Sequence, residues 1–260
     1  MSNPFVRRLE YGAALDDADR AALAYLTRKV GTYDPRSVLV PEGEPAPHML
    51  VVLAGWACRY KYLHGGERQI TDLILPGDAC HPQSVLLAHA DHGFAALGAC
   101  RVAEVDPGEL ASTLGQRPRV ARALHWSSLQ TESILREVVT NIGRRLAEPR
   151  IAHLICEVRA RLSAVGLVNA DDSFAWPLTQ DDVGDITGLT NVHINRTLKA
   201  LRAVELIALE GRRMRVPDPT RLAAHCSFRP GYLHLGPHIT PGSTRTASGH
   251  APVLLPPAHP

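Results

Sequence analysis

Apolar residues recur at helical spacing between Asp16 and Val30. Leu15, Ala18, Ala22, Tyr25 and Leu26 share a face, and Asp16 or Asp17 stands where an N-cap belongs. After Gly31 the period shortens. Val38–Val40, Leu50–Leu53, Ala57–Leu63, Ile70–Leu75 and Ala99–Val105 read as short strands. They are bounded by Pro41-Glu42-Gly43-Glu44, Gly55, His64-Gly65-Gly66, Pro76-Gly77-Asp78 and Asp106-Pro107-Gly108. Short strands at intervals of roughly 8–12 residues with Gly-rich turns predict a sandwich, barrel or jelly roll. From about Pro118 to Leu162 the pattern is helical. Val120, Leu124, Ile134, Val138 and Ile142 form one stripe, which Leu135, Val139 and Leu146 widen. Left bare, that face would be a large apolar patch, so Val120, Leu124, Ile134 and Val138 are expected to form the seam of a twofold dimer. Gly143 and Pro149 interrupt the run. Pro149 suits the first turn of a second helix starting near Glu148, which carries Ile151, Leu154, Ile155, Val158 and Leu162 and fades at Val165-Gly166. A strand-like stub, Phe174–Leu178, follows.

Leu178–Leu201 reads as two helices joined at Gly188-Leu189. Thr179 and Thr190 occupy N-cap positions, and Gly188 supplies the positive φ that a short turn between crossed helices needs. Gly184 sits where the second helix would cross the first, opposite the β-branched Ile194. Ile194, Leu198 and Leu201 face inward. Asn191, Val192, Asn195, Arg196, Lys199 and Arg202 take the other faces. This is the pattern of a helix-turn-helix that presents the N-terminal half of its second helix to a major groove of double-stranded DNA. Downstream, Leu206–Leu209, Glu210–Arg213 and Met214–Val216 read as strand, basic turn and strand: a wing.

Charge sharpens this picture. The whole chain carries a formal net charge of only +2, too small to drive indiscriminate binding to nucleic acid. Residues 179–190 hold Asp181, Asp182 and Asp185 and no base. Residues 191–216 hold six bases against two acids, Glu205 and Glu210. Met49–Ala54, the longest aliphatic run, is far short of the ~20 residues a membrane span needs, and no secretory leader is apparent. Five widely spaced cysteines without a C-x-x-C pair speak against a disulfide scaffold or zinc finger. A cytoplasmic location is therefore expected. Residues 229–260 contain seven Pro, four Gly, four His (His234, His238, His250, His259) and no acid, and are expected to be a disordered tail.

These features together resemble the Crp–Fnr family of bacterial transcription regulators over about residues 30–216. Gly43-Glu44, Gly55, Gly66 and Pro76-Gly77-Asp78 look like the turn glycines of that family's cyclic-nucleotide-type β-roll. Residues 118–146 are similar to its dimerisation helix, and Thr179–Val216 to its winged helix-turn-helix. The resemblance implies an α+β chain with four parts. These are a sensor-type β-roll with an N-terminal helix over 1–117, a dimerisation helix over 118–147, a DNA-binding domain over 148–228 and the tail. It also implies a homodimer with RNA polymerase as a further partner, and no enzymatic activity. Matched to the family's recognition helix, Asn191, Val192 and Arg196 reach base edges, and Arg196 stands where the family reads guanine. Thr179, Gln180 and Thr190 would hold the backbone at the helix starts. His193, Asn195 and Lys199 are further contact candidates, and Arg212 and Arg213 lie in the wing.

The family's cyclic-nucleotide ligands are not matched. His81 and Pro82 stand in place of its Gly-Glu pair, and no Arg occurs between Arg68 and Arg101. A sugar hydroxyl would lose its carboxylate and a phosphate its charge-assisted bonds, so a response to cyclic AMP is not expected. The cysteine cluster of oxygen-sensing relatives is also missing, because the first cysteine is Cys58. Cys80 and His81 fall near the place where a haem-binding relative keeps its ligands, with His89 and His92 following. A haem- or redox-responsive sensor using Cys80 and His81 is therefore one alternative. Others are a constitutive DNA-binding protein whose roll is only a scaffold, and a cupin-like metal enzyme.

Overall fold

The computed structural model describes residues 3–80 and 89–236. Two short helices open it. Asn3 caps α1 (Pro4–Leu9), and Asp16 caps α2 (Asp17–Leu26) through a reciprocal box with Asp19. The helix expected to reach Val30 ends earlier, because Val30 begins a strand that pairs with Ala103. Eight strands follow: β1 (Val30–Tyr33), β2 (Val38–Val40), β3 (Met49–Ala54), β4 (Ala57–Tyr62), β5 (Arg68–Ile74), β6 (Ala79–Cys80), β7 (Gly93–Ala96) and β8 (Cys100–Val105). They form two four-stranded antiparallel sheets, ordered β1-β8-β3-β6 and β2-β7-β4-β5. One apolar cluster joins them, with Leu50, Val52 and Val102 of the first sheet meeting Ala57, Ile74 and Phe94 of the second.

Both sheets are buried on their outer faces as well. Met49, Val51, Ala103 and Val105 pack beneath α1, α2, α3 (Pro107–Gln116) and the start of α4 (Pro118–Arg144). On the second sheet Cys58, Tyr60, Ile70 and Leu73 join a cluster with α5 (Ala147–Ala164) and the C-terminal elements. Strands covered on two sides lose the alternation of apolar and polar residues. This explains why β7, buried at all four positions, escaped the sequence pattern; β1, β6 and α3 were not indicated by it either.

The C-terminal elements are β9 (Ser173–Ala175), α6 (Gln180–Thr187), α7 (Asn191–Ala203), β10 (Ala208–Glu210), β11 (Arg213–Arg215) and α8 (Pro219–His225). A 3-10 turn, Pro230–Leu233, closes the described chain. The start of the expected disordered tail is thus ordered. Leu233 is fully buried, its carbonyl accepts from Gln130 of α4, and the Tyr232 hydroxyl donates to Glu157 at 2.7 Å. Composition misled here because two anchoring side chains suffice to fix a Pro/Gly-rich turn. His238, His250 and His259 lie outside the described residues.

The expected seam on α4 largely faces its own protomer. Val120 and Leu124 are filled in by Phe5, Leu9, Leu23 and Leu110 of the same chain, and Ile134 is buried within it too. Only Val138 of the expected seam is half-buried. The bare residues are Leu135 and Val139, at 47% and 66% exposure, with half-buried Ile142 three positions on and exposed Leu146 just past the helix. The wide stripe divides into an inner half that meets the roll and an outer half, led by Leu135 and Val139, that stands largely exposed.

Charge is buried where α5 crosses the roll. Arg161 donates to the Leu73 carbonyl and to Asp78, both at 2.6 Å, and its other terminal nitrogen lies 3.2 Å from Glu157. Arg8 of α1 pairs with Asp78 at 2.8 Å, and Arg59 of β4 with Asp72 at 2.8 Å. Burial alone would lift the Asp78 carboxyl, but Arg8 and Arg161 beside it hold it below its ordinary value. At Asp72 burial prevails over the arginines and raises it. Removing one member of such a network leaves the others charged and dry. Arg161→Met, close in volume, is expected to destabilise the fold by about 3–5 kcal/mol in urea unfolding; an unchanged midpoint would contradict the role given to this network.

Candidate nucleic-acid interface

The helix pair is assembled from local signals. Thr179 Oγ1 accepts from Asp182 N at 3.1 Å while the Asp182 carboxylate accepts from Thr179 N at 2.9 Å, a closed capping box at the start of α6. The helix stops at Gly188, whose φ of 66° lies in the left-handed region. At Gly184 a Cβ would stand 3.0 Å from the Leu189 carbonyl oxygen and 3.4 Å from Ile194 Cδ1. At this position the two helices therefore approach closely, and a Cβ would press on the turn between them. Ile194, Thr197, Leu198 and Leu201 turn inward and are buried.

What α7 turns outward is Asn191, Val192, His193, Asn195, Arg196 and Lys199, all exposed. Some of them are engaged within the pair. Gln180 and Asn195 exchange reciprocal amide hydrogen bonds of 2.8 and 2.9 Å, and Asn191 donates to Asp181 at 2.7 Å. Thr190 occupies the N-cap position of α7 without a side-chain capping bond; its hydroxyl lies 3.3 Å from His193 Nδ1. Arg196 and Lys199 make no hydrogen bond or ion pair among the described residues. Val192, an apolar β-branched side chain, stands 76% exposed beside Arg196.

The wing is present as expected. β10 and β11 pair through the turn at Gly211-Arg212, and β11 also pairs with β9. A third strand is thus present at Ser173–Ala175, starting one residue before the expected stub Phe174–Leu178 and ending three residues before that stub's end. Met214 is buried beneath the sheet, while Arg212, Arg213 and Arg215 are exposed. Arg213 is tethered to Ser173 Oγ at 2.8 Å, and Arg212 lies exposed in the turn.

Two residues of the roll reach this unit that no sequence pattern indicated. Arg68 Nε donates to Asp185 and its Nη2 to Asp182, both at 2.7 Å, and Gln69 donates to the Asp185 carbonyl at 2.5 Å. The Arg68 partners lie 114 and 117 residues away in sequence, beyond any local signal.

In the roll, Gly43, Gly55, Gly66 and Gly77 all take positive φ. The space between the sheets is occupied by side chains, Phe94 fully buried among them. Cys80 is buried with its sulfur 3.8 Å from His92 Nε2, and His92 Nδ1 is 2.6 Å from Asp91. His81 and Pro82 lie outside the described residues. Among the described residues no three His, Cys, Asp or Glu side chains gather as a metal ion would require, so the cupin-like alternative gains no support. No described helix is long and apolar enough to cross a membrane.

Comparison with known proteins agrees with this architecture. Residues 30–117 match the cyclic nucleotide-binding domain family, and residues 149–225 match the Crp-like helix-turn-helix domain family. The chain is 28% identical to the transcriptional activatory protein AadR of Rhodopseudomonas palustris, over 84% of its own length and 90% of that protein. It is likewise 28% identical to the nitrogen fixation regulation protein FixK of Bradyrhizobium diazoefficiens, over 82% and 87% of the two chains. The solved structure of FixK2 from Bradyrhizobium japonicum superposes with a TM-score of 0.67 at 26% identity, covering 75% of this chain and 96% of that one. A roll with these turns, a long helix and a winged helix-turn-helix, matched over three quarters or more of the chain by such regulators, place it in the Crp–Fnr family of DNA-binding transcription regulators.

Proposed function

We propose that the protein works in the cytoplasm as a homodimer that reads a palindromic operator with α7 and does so without cyclic AMP. The observation that carries the reading is the outward face of α7, where Arg196 has no partner among the described residues and Val192 stands bare beside it. The Arg196 guanidinium can engage O6 and N7 of one guanine together. Val192 has no hydrogen-bonding group, and its natural neighbour is a thymine methyl. Asn191, His193 and Asn195 border these two. Thr179, Gln180 and Thr190, at the helix starts, together with Lys199, Arg212 and Arg213 contact phosphates, which fix register rather than sequence.

The dimer forms through the outer half of the α4 stripe. Leu135, Val139 and Ile142 follow one another at the four-then-three spacing of a coiled-coil seam, with Leu146 exposed just past the helix end. Two-fold symmetry about this seam places the half-site centres about 10 base pairs apart. Two features support independence from cyclic nucleotide: the missing arginine between Arg68 and Arg101, and the apolar filling of the roll. The names of the relatives, activators among them, favour positive control, with RNA polymerase as the second partner.

Two outcomes test this reading. Arg196→Ala is expected to cost about 1–3 kcal/mol per half-site and to flatten one guanine in a randomised-site selection; a sequence logo identical to that of the wild type would remove α7 as the reader. Val139→Asp is expected to give folded monomers by light scattering with much weaker operator binding, whereas Ile134→Asp, placing a charge in the protomer's own core, should unfold it. A Val139→Asp protein that stays dimeric at micromolar concentration would refute the seam.

A further inference from the structure

The first helix of a helix-turn-helix crosses the DNA backbone, and here that helix is acidic. Asp181, Asp182 and Asp185 lie on α6 with no base among them. Three carboxylates this close to a row of phosphates, within a Debye length of about 10 Å, oppose binding. The helix does not supply its own compensation. The roll does, because Arg68 at the start of β5 places one fork nitrogen on Asp185 and another on Asp182, each at 2.7 Å. Gln69 adds a hydrogen bond to the backbone of the same helix, and Asn191 covers Asp181. We propose that Arg68 is a positioning residue for DNA binding, a base lent by the roll that clamps α6 by bridging two of its three carboxylates and offsets one of its three negative charges.

Four further features support this assignment. The pairs are largely shielded, with side-chain exposures of 23% for Arg68, 10% for Asp182 and 27% for Asp185, so solvent screens them less than an ordinary surface contact. Burial opposes the Arg68 charge, yet the two carboxylates more than offset it and raise its pKa. With the clamp closed the outward face of α7 remains bare, so the clamped arrangement leaves the reading surface accessible. A clamp that hid α7 would be an inhibitory latch; this one leaves it free. Asp182 also belongs to the capping box of α6, so Arg68 steadies the residue that fixes where that helix begins. The roll is thereby joined to the reading unit by charge as well as by packing.

The proposal rests on the reading of α6 and α7 as the DNA-binding pair, and the test separates the two. Operator affinity of the full chain is measured by fluorescence anisotropy across a salt series, for wild type, Arg68→Glu, Arg68→Gln, Arg68→Glu with Asp185→Arg, and Arg196→Ala. Arg68→Glu is expected to weaken binding roughly tenfold at low salt, with the gap to wild type narrowing as salt rises, because repulsion is screened. Arg68→Gln should show a smaller loss of the same kind, and it serves if the glutamate variant fails to fold by circular dichroism. The charge swap should recover most of the loss, which a merely structural role for Arg68 would not produce. Wild-type affinity in the Arg68 variants, tighter binding, a loss independent of salt, or a swap without recovery would each overturn the proposal. If Arg196→Ala weakens binding while the Arg68 variants do not, the clamp alone is wrong. If neither does, the reading of the helix pair fails with it.

Discussion

Arg161 lies at the point where the molecule's parts meet. From α5 it reaches Asp78 in the turn before β6, the Leu73 carbonyl at the end of β5 and Glu157 on its own helix. Through Asp78 it is linked to Arg8 of the N-terminal helix, and through Glu157 to Tyr232 of the C-terminal turn. Buried charges tolerate little displacement, because each depends on its neighbours for the solvation it has lost. This network therefore fixes the angle at which α5 leaves the roll. Everything C-terminal to α5 inherits that angle.

Packing extends the same constraint. The outer face of the second sheet, which would otherwise be an exposed apolar surface, is covered by α5 and the winged unit. Trp56 of the roll and Trp176 of that unit meet edge to face at 5.9 Å. The helix-turn-helix is thus built onto the sensor-type domain rather than hung from it. Two surfaces among the described residues suit partners: the outward face of α7 fits a major groove, and the outer stripe of α4 fits a second copy of the chain. The first needs the second, since a palindrome is read by two helices in fixed relation.

Much of this was legible because the signals are local. Thr179, Gly184, Gly188 and Ile194 each do a job set by their immediate neighbours, and the structure finds all four doing it. The turn glycines of the roll are legible for the same reason. Three features were not. Periodicity reveals that Val120, Leu124 and Ile134 are apolar and share a face, but not whether that face meets a partner or the protomer's own roll. Composition reports that residues after Arg229 are poor in core formers, but not that Tyr232 and Leu233 find sites on α5 and α4. Arg68 lies in a strand with no motif, and its partners are chosen by the way two distant units pack. Long-range pairing leaves no periodic trace.

The central claim is that α7 reads DNA while the roll holds the helix pair in place. A crystal structure of the dimer on an operator obtained by site selection tests it most directly. The account predicts Arg196 within hydrogen-bond distance of guanine O6 and N7 in each half-site, Val192 against a neighbouring base edge, and each Arg68 still on Asp182 and Asp185. A complex in which α7 lies outside the major groove, or in which the winged unit has separated from the roll, would contradict it.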